Sequence, residues 1–140
     1  MNISSTFHSP ETTADAEAIY RESKYPIYLG GGQELVLRLQ HDLEHVSDLI
    51  DLSNINELHG IYADGSTLSI GAGENHAAIA GSAAVVQKVP VLSELASNIG
   101  DSQTRNRGTI GGAIASKTRS SDWNAALLAL EAMIHTTKTS

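Results

Sequence analysis

The segment that decides the fold runs from Asn98 to Ala126 and reads NIGDSQTRNRGTIGGAIASKTRSSDWNAA. It contains glycines at 108, 111 and 112, and a carboxylate, Asp122, near its end. Because glycine has no side chain, a backbone rich in it can approach an anionic group closely. A second glycine cluster, Gly30–Gly32, lies about eighty residues upstream. The two clusters together predict two walls of one pyrophosphate site, in which backbone N–H groups supply most of the binding.

The residues around the first cluster predict a strand, a glycine turn and a helix. Tyr25–Leu29 is typical of a short strand, and Leu35 and Leu39 have helical spacing after Gly32. Such an arrangement leaves free N–H groups over the turn, which is the geometry of an anion cradle. The segment contains neither the GxGxxG fingerprint nor a P-loop. Taken alone, the triple glycine is weak evidence, because turns collect glycine anyway.

Capping residues and alternating patterns predict the remaining elements. They are a helix from about Thr13 to Ser23 capped by a threonine, a strand over 46–52, a hairpin over 58–70 turning at Asp64-Gly65, a helix from His76 to about Ser82 capped by Asn75, a helix over 91–99 opened by Pro90, a buried helix over 122–131 and a strand beginning at 132–137.

Length and composition favour one domain with a mixed helix and sheet fold. The chain has 140 residues, of which 41% are hydrophobic, with one Phe and one Trp. The core must therefore be built from aliphatic side chains and alanine rather than from aromatic rings. A chain of this length is sufficient for a single core.

Charge and cysteine content exclude several classes of function. The net charge is −7 and the basic residues are scattered, which disfavours nucleic acid or an anionic membrane as a partner. The chain has no cysteine, so it cannot form disulfides or ligate iron–sulfur clusters itself. The N-terminus has neither a basic n-region nor an apolar h-region, and no run approaches the length of a membrane span. We expect a soluble, cytoplasmic protein.

Other polar residues have structural interpretations beside functional ones. His41 and His45 are four apart, as in a helical metal site, but no third ligand is evident and the neighbouring acidic residues resemble a solvated surface, so no metal is predicted. Arg105 and Arg107 could steer phosphates or anchor their loop through carboxylates and carbonyls. For His76, a structural hydrogen bond is favoured over a role in proton transfer. Ser82 and Ser121 lack a nucleophile signature.

These motifs resemble the FAD-binding domain of the molybdenum hydroxylases, the family of carbon monoxide dehydrogenase medium subunits and xanthine dehydrogenase flavin subunits. The resemblance covers nearly the whole chain. Its most specific string is Arg-Asn-Arg-Gly-Thr-Ile-Gly-Gly at 105–112, and further matches are Phe7–Pro10, Tyr28–Gln33, Leu49–Leu52, Ile70–Gly73 and Ile99–Gln103. The resemblance implies an α+β fold of two small α/β subdomains, the PCMH-type FAD-binding fold, with residues 1–54 in the first and 55–140 in the second.

The resemblance also implies a cofactor, a set of contacts and partners. The cofactor is FAD, passing electrons from iron–sulfur clusters to an acceptor such as NAD. The partners are a molybdopterin-containing large subunit and an iron–sulfur small subunit carrying two-iron, two-sulfur clusters. No residue of this chain is expected to be catalytic. The implied contacts are Leu29, Gly30, Gly31, Gly32, Gln33, Glu34, Thr109, Ile110, Gly111, Gly112 and Ala113 around the pyrophosphate, and Asp122 on ribityl or ribose hydroxyls.

Two departures from the motifs of the family, together with the length of the chain, favour a rival hypothesis. Glu34 stands where the family commonly has a small hydroxyl residue, so its carboxylate must point outward or weaken the binding of a pyrophosphate. Ala113 replaces an asparagine and removes one side-chain hydrogen bond. The family's domain continues beyond the position of Ser140, so the second subdomain is expected to be truncated. The rival is a non-catalytic remnant or interaction module that no longer binds flavin. An aspartate at a helix start is also often only a cap, which is the alternative for Asp122.

Overall fold

A computed structural model describes residues 5–41, 45–116 and 121–138. Five strands and eight helices are named within these ranges. In chain order they are β1 (Thr6–His8), α1 (Thr13–Glu22), β2 (Pro26–Leu29), α2 (Leu35–Gln40), β3 (Asp48–Asp51), a 3-10 turn (Asn56–Leu58), β4 (Ile61–Asp64), β5 (Thr67–Ile70), α3 (His76–Gly81), α4 (Ala83–Lys88), α5 (Pro90–Ser97), α6 (Ser102–Arg107), α7 (Ile110–Ala115) and α8 (Asp122–Ala129).

The first half of the chain forms a parallel sheet in the order β1-β3-β2, with β3 in the middle. Helix α1 begins at the predicted threonine cap, because the Thr12 hydroxyl accepts from the Asp15 amide at 3.1 Å. A small core of Ala16, Ile50 and Ile55 lies between this helix and the sheet. Parallel strands need a helical crossover, and α1 supplies the one between β1 and β2.

The second half consists of the β4-β5 hairpin and six short helices around a larger core. The hairpin turns at Gly65, where φ is 54°, a value that glycine adopts without strain. The Asn75 side chain caps α3 by accepting from the Ala78 amide at 2.7 Å, and Pro90 is the first residue of α5. The buried core consists of Ile79, Val85, Leu92, Ala96, Ile110 and Trp123.

Most predicted elements are present, with shorter bounds. The hairpin, the two capped helices and the strand–turn–helix around the first glycine cluster are confirmed. The α+β class is confirmed by the two sheets and their helices. The proposed boundary at residue 54 stays a prediction, and the first core reaches beyond it to Ile55 and Leu58.

Two predictions at the end of the chain are wrong. Residues 132–137 do not form a strand, because the chain leaves α8 through a turn at Glu131, with φ of 54°, and the Ala132 amide donates to the Leu127 carbonyl at 2.9 Å. Helix α8 is also not buried throughout. Trp123 is its buried residue, whereas Leu128 is 82% exposed, because the helix packs on the core along one side only.

The contact between the two glycine clusters gives a testable expectation for stability. A methyl group added in Gly31→Ala would overlap the Arg107 carbonyl oxygen and lie 2.6 Å from the Gly108 Cα. Both obstacles are backbone, so we expect a loss of at least about 2 kcal/mol in the free energy of unfolding. Chemical denaturation of the two proteins measures this difference.

Gly81→Ala is the matched control. An added Cβ at Gly81 meets nothing within 4 Å, and the residue lies in α3. Its stability should be unchanged or higher by up to about 1 kcal/mol, because alanine favours a helix over glycine. Equal effects of the two substitutions would contradict the tight contact at Gly31.

Candidate functional site

The first wall of the site is the glycine turn between β2 and α2. Gly32 has φ of 74°, which turns the chain sharply away from the strand. In the part of the chain that the structure describes, no protein group accepts a hydrogen bond from the amides of Gly31, Gly32 or Gln33. Three such N–H groups in succession at a turn before a helix are suited to an anion.

The second wall is the segment 108–116, which a short backbone ladder fixes to the loop before α3. The Gly111 amide donates to the Ala72 carbonyl at 2.9 Å, the Ile110 amide to Glu74 at 3.0 Å, and the His76 amide to Gly108 at 3.1 Å. The Thr109 hydroxyl then caps α7 by accepting from the Gly112 amide at 3.1 Å. Hydrogen bonds within the protein therefore hold this wall in position.

The two walls touch through their backbones. Beside the Gly31 contact with Arg107 and Gly108, a Cβ on Gly30 would lie 2.9 Å from the Thr109 Oγ1 and 3.8 Å from the Gly112 Cα. The expectation that the two side-chain-poor segments fold against each other is confirmed.

A cleft of about 910 Å³ opens along this contact. Its volume is in the range typical of sites for cofactors and other small molecules. The lining residues come from both halves of the chain and include Gly31, Glu34, Arg38, His76, Ser121 and Trp123. A smaller cavity of about 310 Å³, between α1 and residues 136–138, contains neither glycine cluster.

Eight of the twelve predicted contact residues line the cleft, and four do not. Those that line it are Gly30, Gly31, Gly32, Gln33, Glu34, Thr109, Gly112 and Ala113. Ile110 is buried in the second core and Gly111 packs on Ala72, so both hold the wall in place. Leu29 ends β2, and its carbonyl accepts from the Leu52 amide at 3.0 Å.

Asp122 is exposed and lies outside the cleft lining, whereas its neighbours Ser121 and Trp123 are part of it. Asp122 is not the helix cap either, because Ser121 holds that position and Asp122 is the first residue of α8. Its carboxylate is in the first turn, where the helix dipole favours a negative charge. Sequence reasoning did not include Ser121 or Trp123 in the site, and their position next to Asp122 was the available signal.

His76 forms a buried pair with Trp123 at the edge of the cleft. The indole Nε1 donates to the His76 Nδ1 at 3.1 Å, and the rings stack with centroids 5.8 Å apart. The structural hydrogen bond predicted for His76 is thereby confirmed. Because Nδ1 accepts, the neutral ring carries its proton on Nε2. Burial lowers the pKa of His76, which favours this neutral form.

The arginines near the second wall differ in their contacts. The Arg105 guanidinium donates to the carbonyls of Ile99 and Gly100 at 3.1 and 2.8 Å, so it anchors its own loop, as the structural interpretation predicted. Arg107 contributes its backbone carbonyl to the contact with Gly31. Neither arginine is among the residues that line the cleft.

Two further features concern metal binding and membrane spans in the part of the chain that the structure describes. No three His, Asp or Glu side chains within residues 5–41, 45–116 and 121–138 are grouped so that they could hold a metal ion. Asp42 and Glu44, beside the predicted His41–His45 pair, lie outside these ranges. None of the helices described is sufficiently long and apolar to span a bilayer.

Known proteins are similar to this chain over most of its length. The family model described as the FAD binding domain in molybdopterin dehydrogenase matches residues 2–140. The carbon monoxide dehydrogenase medium chain of Hydrogenophaga pseudoflava is 36% identical over 127 residues, which is 90% of this chain and 44% of the relative. The alpha subunit of the 6-hydroxypseudooxynicotine dehydrogenase complex of Paenarthrobacter nicotinovorans is 38% identical over 106 residues, covering 76% and 36%.

Solved structures of carbon monoxide dehydrogenases contain a similar fold. Carbon monoxide dehydrogenase from Hydrogenophaga pseudoflava, in a form lacking the Mo-pyranopterin moiety, superposes with a TM-score of 0.84 at 34% identity, over 87% of this chain and 43% of that one. The cyanide-inactivated Cu,Mo-CO dehydrogenase gives 0.85 at 32% identity, over 89% and 44%. The chain therefore spans less than half the length of the relatives and structures cited here.

The buried His76 ring gives an expected pH dependence of stability. Burial holds the pKa of this ring in the folded protein below the ordinary histidine value of 6.5, so the unfolded chain binds the proton more readily. The contribution of the neutral ring to the free energy of unfolding is complete above pH 6.5. It is lost as the pH falls from 6.5 through the lowered pKa of the folded state. His76→Asn should remove this pH-dependent contribution to stability. The difference in melting temperature between wild type and variant should therefore narrow as the pH falls from 7.5 to 5.

His135→Asn, at an exposed position, is the control for exchanging a histidine for asparagine. Thermal melts of the three proteins across the pH range provide the measurement. A difference between wild type and His76→Asn that stays constant from pH 7.5 to 5 would show that the ring is not buried in its neutral form.

Proposed function

Since the chain belongs to the family of FAD-binding domains in molybdopterin dehydrogenases, we propose that it holds FAD in the cleft between its two glycine clusters. It would do so as the flavin component of an oxidoreductase complex. The observation that carries this proposal is the direct backbone contact of Gly31 with Arg107 and Gly108 at the edge of the cleft. Backbone N–H groups at this contact would donate to the diphosphate of the cofactor.

Three features of the cleft fit FAD. The amides of Gly31, Gly32 and Gln33 have no acceptor among the described residues and can donate to phosphate oxygens. The volume of about 910 Å³ is suitable for a large part of a dinucleotide. Ser121 lines the same space, and its buried hydroxyl has no hydrogen-bond partner among the residues that the structure describes. When bound, FAD supplies the electron-transfer chemistry, and the chain binds and orients it.

The predicted contact residues have different roles in this proposal. Residues 30–34 and Thr109, Gly112 and Ala113 would lie against the diphosphate, because they line the cleft. Leu29, Ile110 and Gly111 would support the two walls through the backbone contacts described above. Asp122 would contact a ribityl or ribose hydroxyl from the rim, since it adjoins the lining residues Ser121 and Trp123.

The electron path and the partners are proposed from the resemblance. We infer that iron–sulfur clusters on a small subunit deliver electrons to the flavin, that a molybdopterin-containing large subunit oxidises the substrate, and that an acceptor such as NAD receives the electrons. The absence of cysteine from the 140 residues supports placing the clusters outside them. The two hydrophobic cores support a division into two subdomains near residue 54.

FAD titration tests the proposed binding. Trp123 is the single tryptophan of the sequence and lines the cleft, so FAD bound there should quench its emission and co-elute with the protein in gel filtration. Riboflavin, which lacks the diphosphate, should bind more weakly. A colourless protein peak with unchanged tryptophan emission would contradict the proposal and favour a remnant that no longer binds flavin.

Glu34 should weaken the binding of FAD. It is exposed and lines the cleft beside the glycine amides, so its carboxylate opposes a diphosphate through a partly aqueous medium. Two unit charges about 5 Å apart repel by roughly 1 kcal/mol at the dielectric constant of water and by roughly 3 kcal/mol at an effective value near 20. Because the side chain is exposed, we expect the lower figure, and Glu34→Gln should lower the dissociation constant several-fold at low salt.

The gain in FAD affinity of Glu34→Gln should shrink as the ionic strength rises, because salt screens exposed charges. Glu94→Gln makes the same change of charge on α5, away from the cleft, and should leave the affinity unchanged. Isothermal titration at two salt concentrations measures both variants. Equal affinities of Glu34→Gln and wild type at low salt would indicate that the carboxylate does not face the diphosphate.

A further inference from the structure

The hydroxyl of Ser121 is buried and has no hydrogen-bond partner, and it is the one such side-chain atom found among residues 5–41, 45–116 and 121–138. Ser121 occupies the N-cap position of α8 but makes no cap hydrogen bond. The usual reason for a serine at this position is therefore missing. The residue lines the cleft, so a ligand bound there would lie next to a hydroxyl that lacks a partner among the described residues.

His76 presents a second polar group to the same cleft. The residue is 5% exposed, and its Nδ1 is occupied by the Trp123 indole. The remaining nitrogen, Nε2, carries the proton and has no acceptor within the described part of the chain. It lies 2.8 Å from the point where a Cβ on Gly108 would stand, so it is next to the second glycine segment.

Trp123 connects these two groups. It follows Ser121 by two residues on α8, is 1% exposed and fixes the orientation of the His76 ring through its Nε1 hydrogen bond. The orientation of the His76 Nε2–H is therefore set by a buried side chain that lies two residues from Ser121. Preorganised donors bind a ligand without paying for their own ordering.

We propose that Ser121 Oγ and His76 Nε2 form a polar subsite that hydrogen-bonds an oxygen of the cofactor's diphosphate–ribityl linkage. Nε2–H can only donate, whereas the hydroxyl can donate or accept, so the pair is suited to a phosphate oxygen or a ribityl hydroxyl. The inference rests on the proposed binding of FAD and adds two residues that the sequence motifs do not indicate. Both are positioning residues for the cofactor.

Ser121→Ala separates a ligand contact from a structural role. Removing a buried hydroxyl without a partner should leave the melting temperature of the ligand-free protein unchanged or raise it. The same change should weaken FAD binding about five- to tenfold, because the cofactor loses one hydrogen bond. A serine needed only for folding would show the reverse pattern, a lower melting temperature and an unchanged affinity.

His76→Asn tests the imidazole. The Asn Oδ1 can replace Nδ1 as the acceptor for the Trp123 indole, but the side chain has no group at the position of Nε2. We expect FAD to bind about fivefold to tenfold more weakly, with the emission maximum of Trp123 unchanged. Ser93→Ala is the control, because the Ser93 hydroxyl donates to the Ala80 carbonyl at 2.6 Å outside the cleft lining. That variant should lose stability and keep its affinity.

Titrations with FAD, ADP and FMN complete the experiment. Equal losses of affinity for FAD and ADP would assign the subsite to the diphosphate, and losses for FAD and FMN only would assign it to the ribityl side. Wild-type affinity for FAD in both Ser121→Ala and His76→Asn would overturn the subsite while leaving the proposed function intact. Failure of the wild-type chain to bind FAD would overturn the proposed function and the subsite with it.

Discussion

The contact of Gly31 with the backbone of Arg107 and Gly108 is the constraint on which the rest of the site depends. Each half of the chain has its own sheet and its own buried core, and this contact joins the two glycine clusters. Any side chain at position 31 would hold the two backbones apart, because the obstacles are main-chain atoms that cannot rotate away. The cleft forms along the same line, so the requirement for glycine is one of packing as well as of ligand access.

The glycines therefore divide into two groups with different physical roles. In the second cluster the amides of Ile110 and Gly111 are already used, since they donate to the loop before α3 and fix the wall. In the first cluster the amides of Gly31, Gly32 and Gln33 have no acceptor in the described ranges. One segment is thus held rigidly by the protein, and the other presents its donors to the cleft. A sequence motif with glycines in both places does not distinguish these roles, because both require the absence of a side chain.

The sequence predicted those parts of the structure that depend on local signals. Caps at Thr12 and Asn75 and the turn at Gly65 act within a few residues, so their patterns are visible in the chain itself. Helix α7 was not predicted, because Ile110-Gly111-Gly112 has low intrinsic helix propensity, and it forms through the Thr109 cap and the burial of Ile110 in a distant core. Whether Ser121 or Asp122 faces the cleft depends on the burial of Trp123, which no local pattern specifies. The strand expected at 132–137 failed for the same reason, since a strand requires a partner elsewhere in the fold.

The groups proposed to bind the diphosphate are neutral N–H and O–H dipoles, although charged side chains also line the cleft. Among the described lining residues, Glu34 and Arg38 carry opposite formal charges, and the pKa of His76 is lowered by burial. The chain as a whole has a net charge of −7, which opposes an anionic ligand at long range. A diphosphate in this cleft would be held by oriented N–H and O–H dipoles at short range, because dipoles of fixed position gain strength where water is excluded. The Ser121 hydroxyl and the His76 Nε2–H are two such dipoles, and neither has a partner among the described residues. Burying a donor without a partner costs folding free energy, and a ligand that accepts its hydrogen bond offsets this cost.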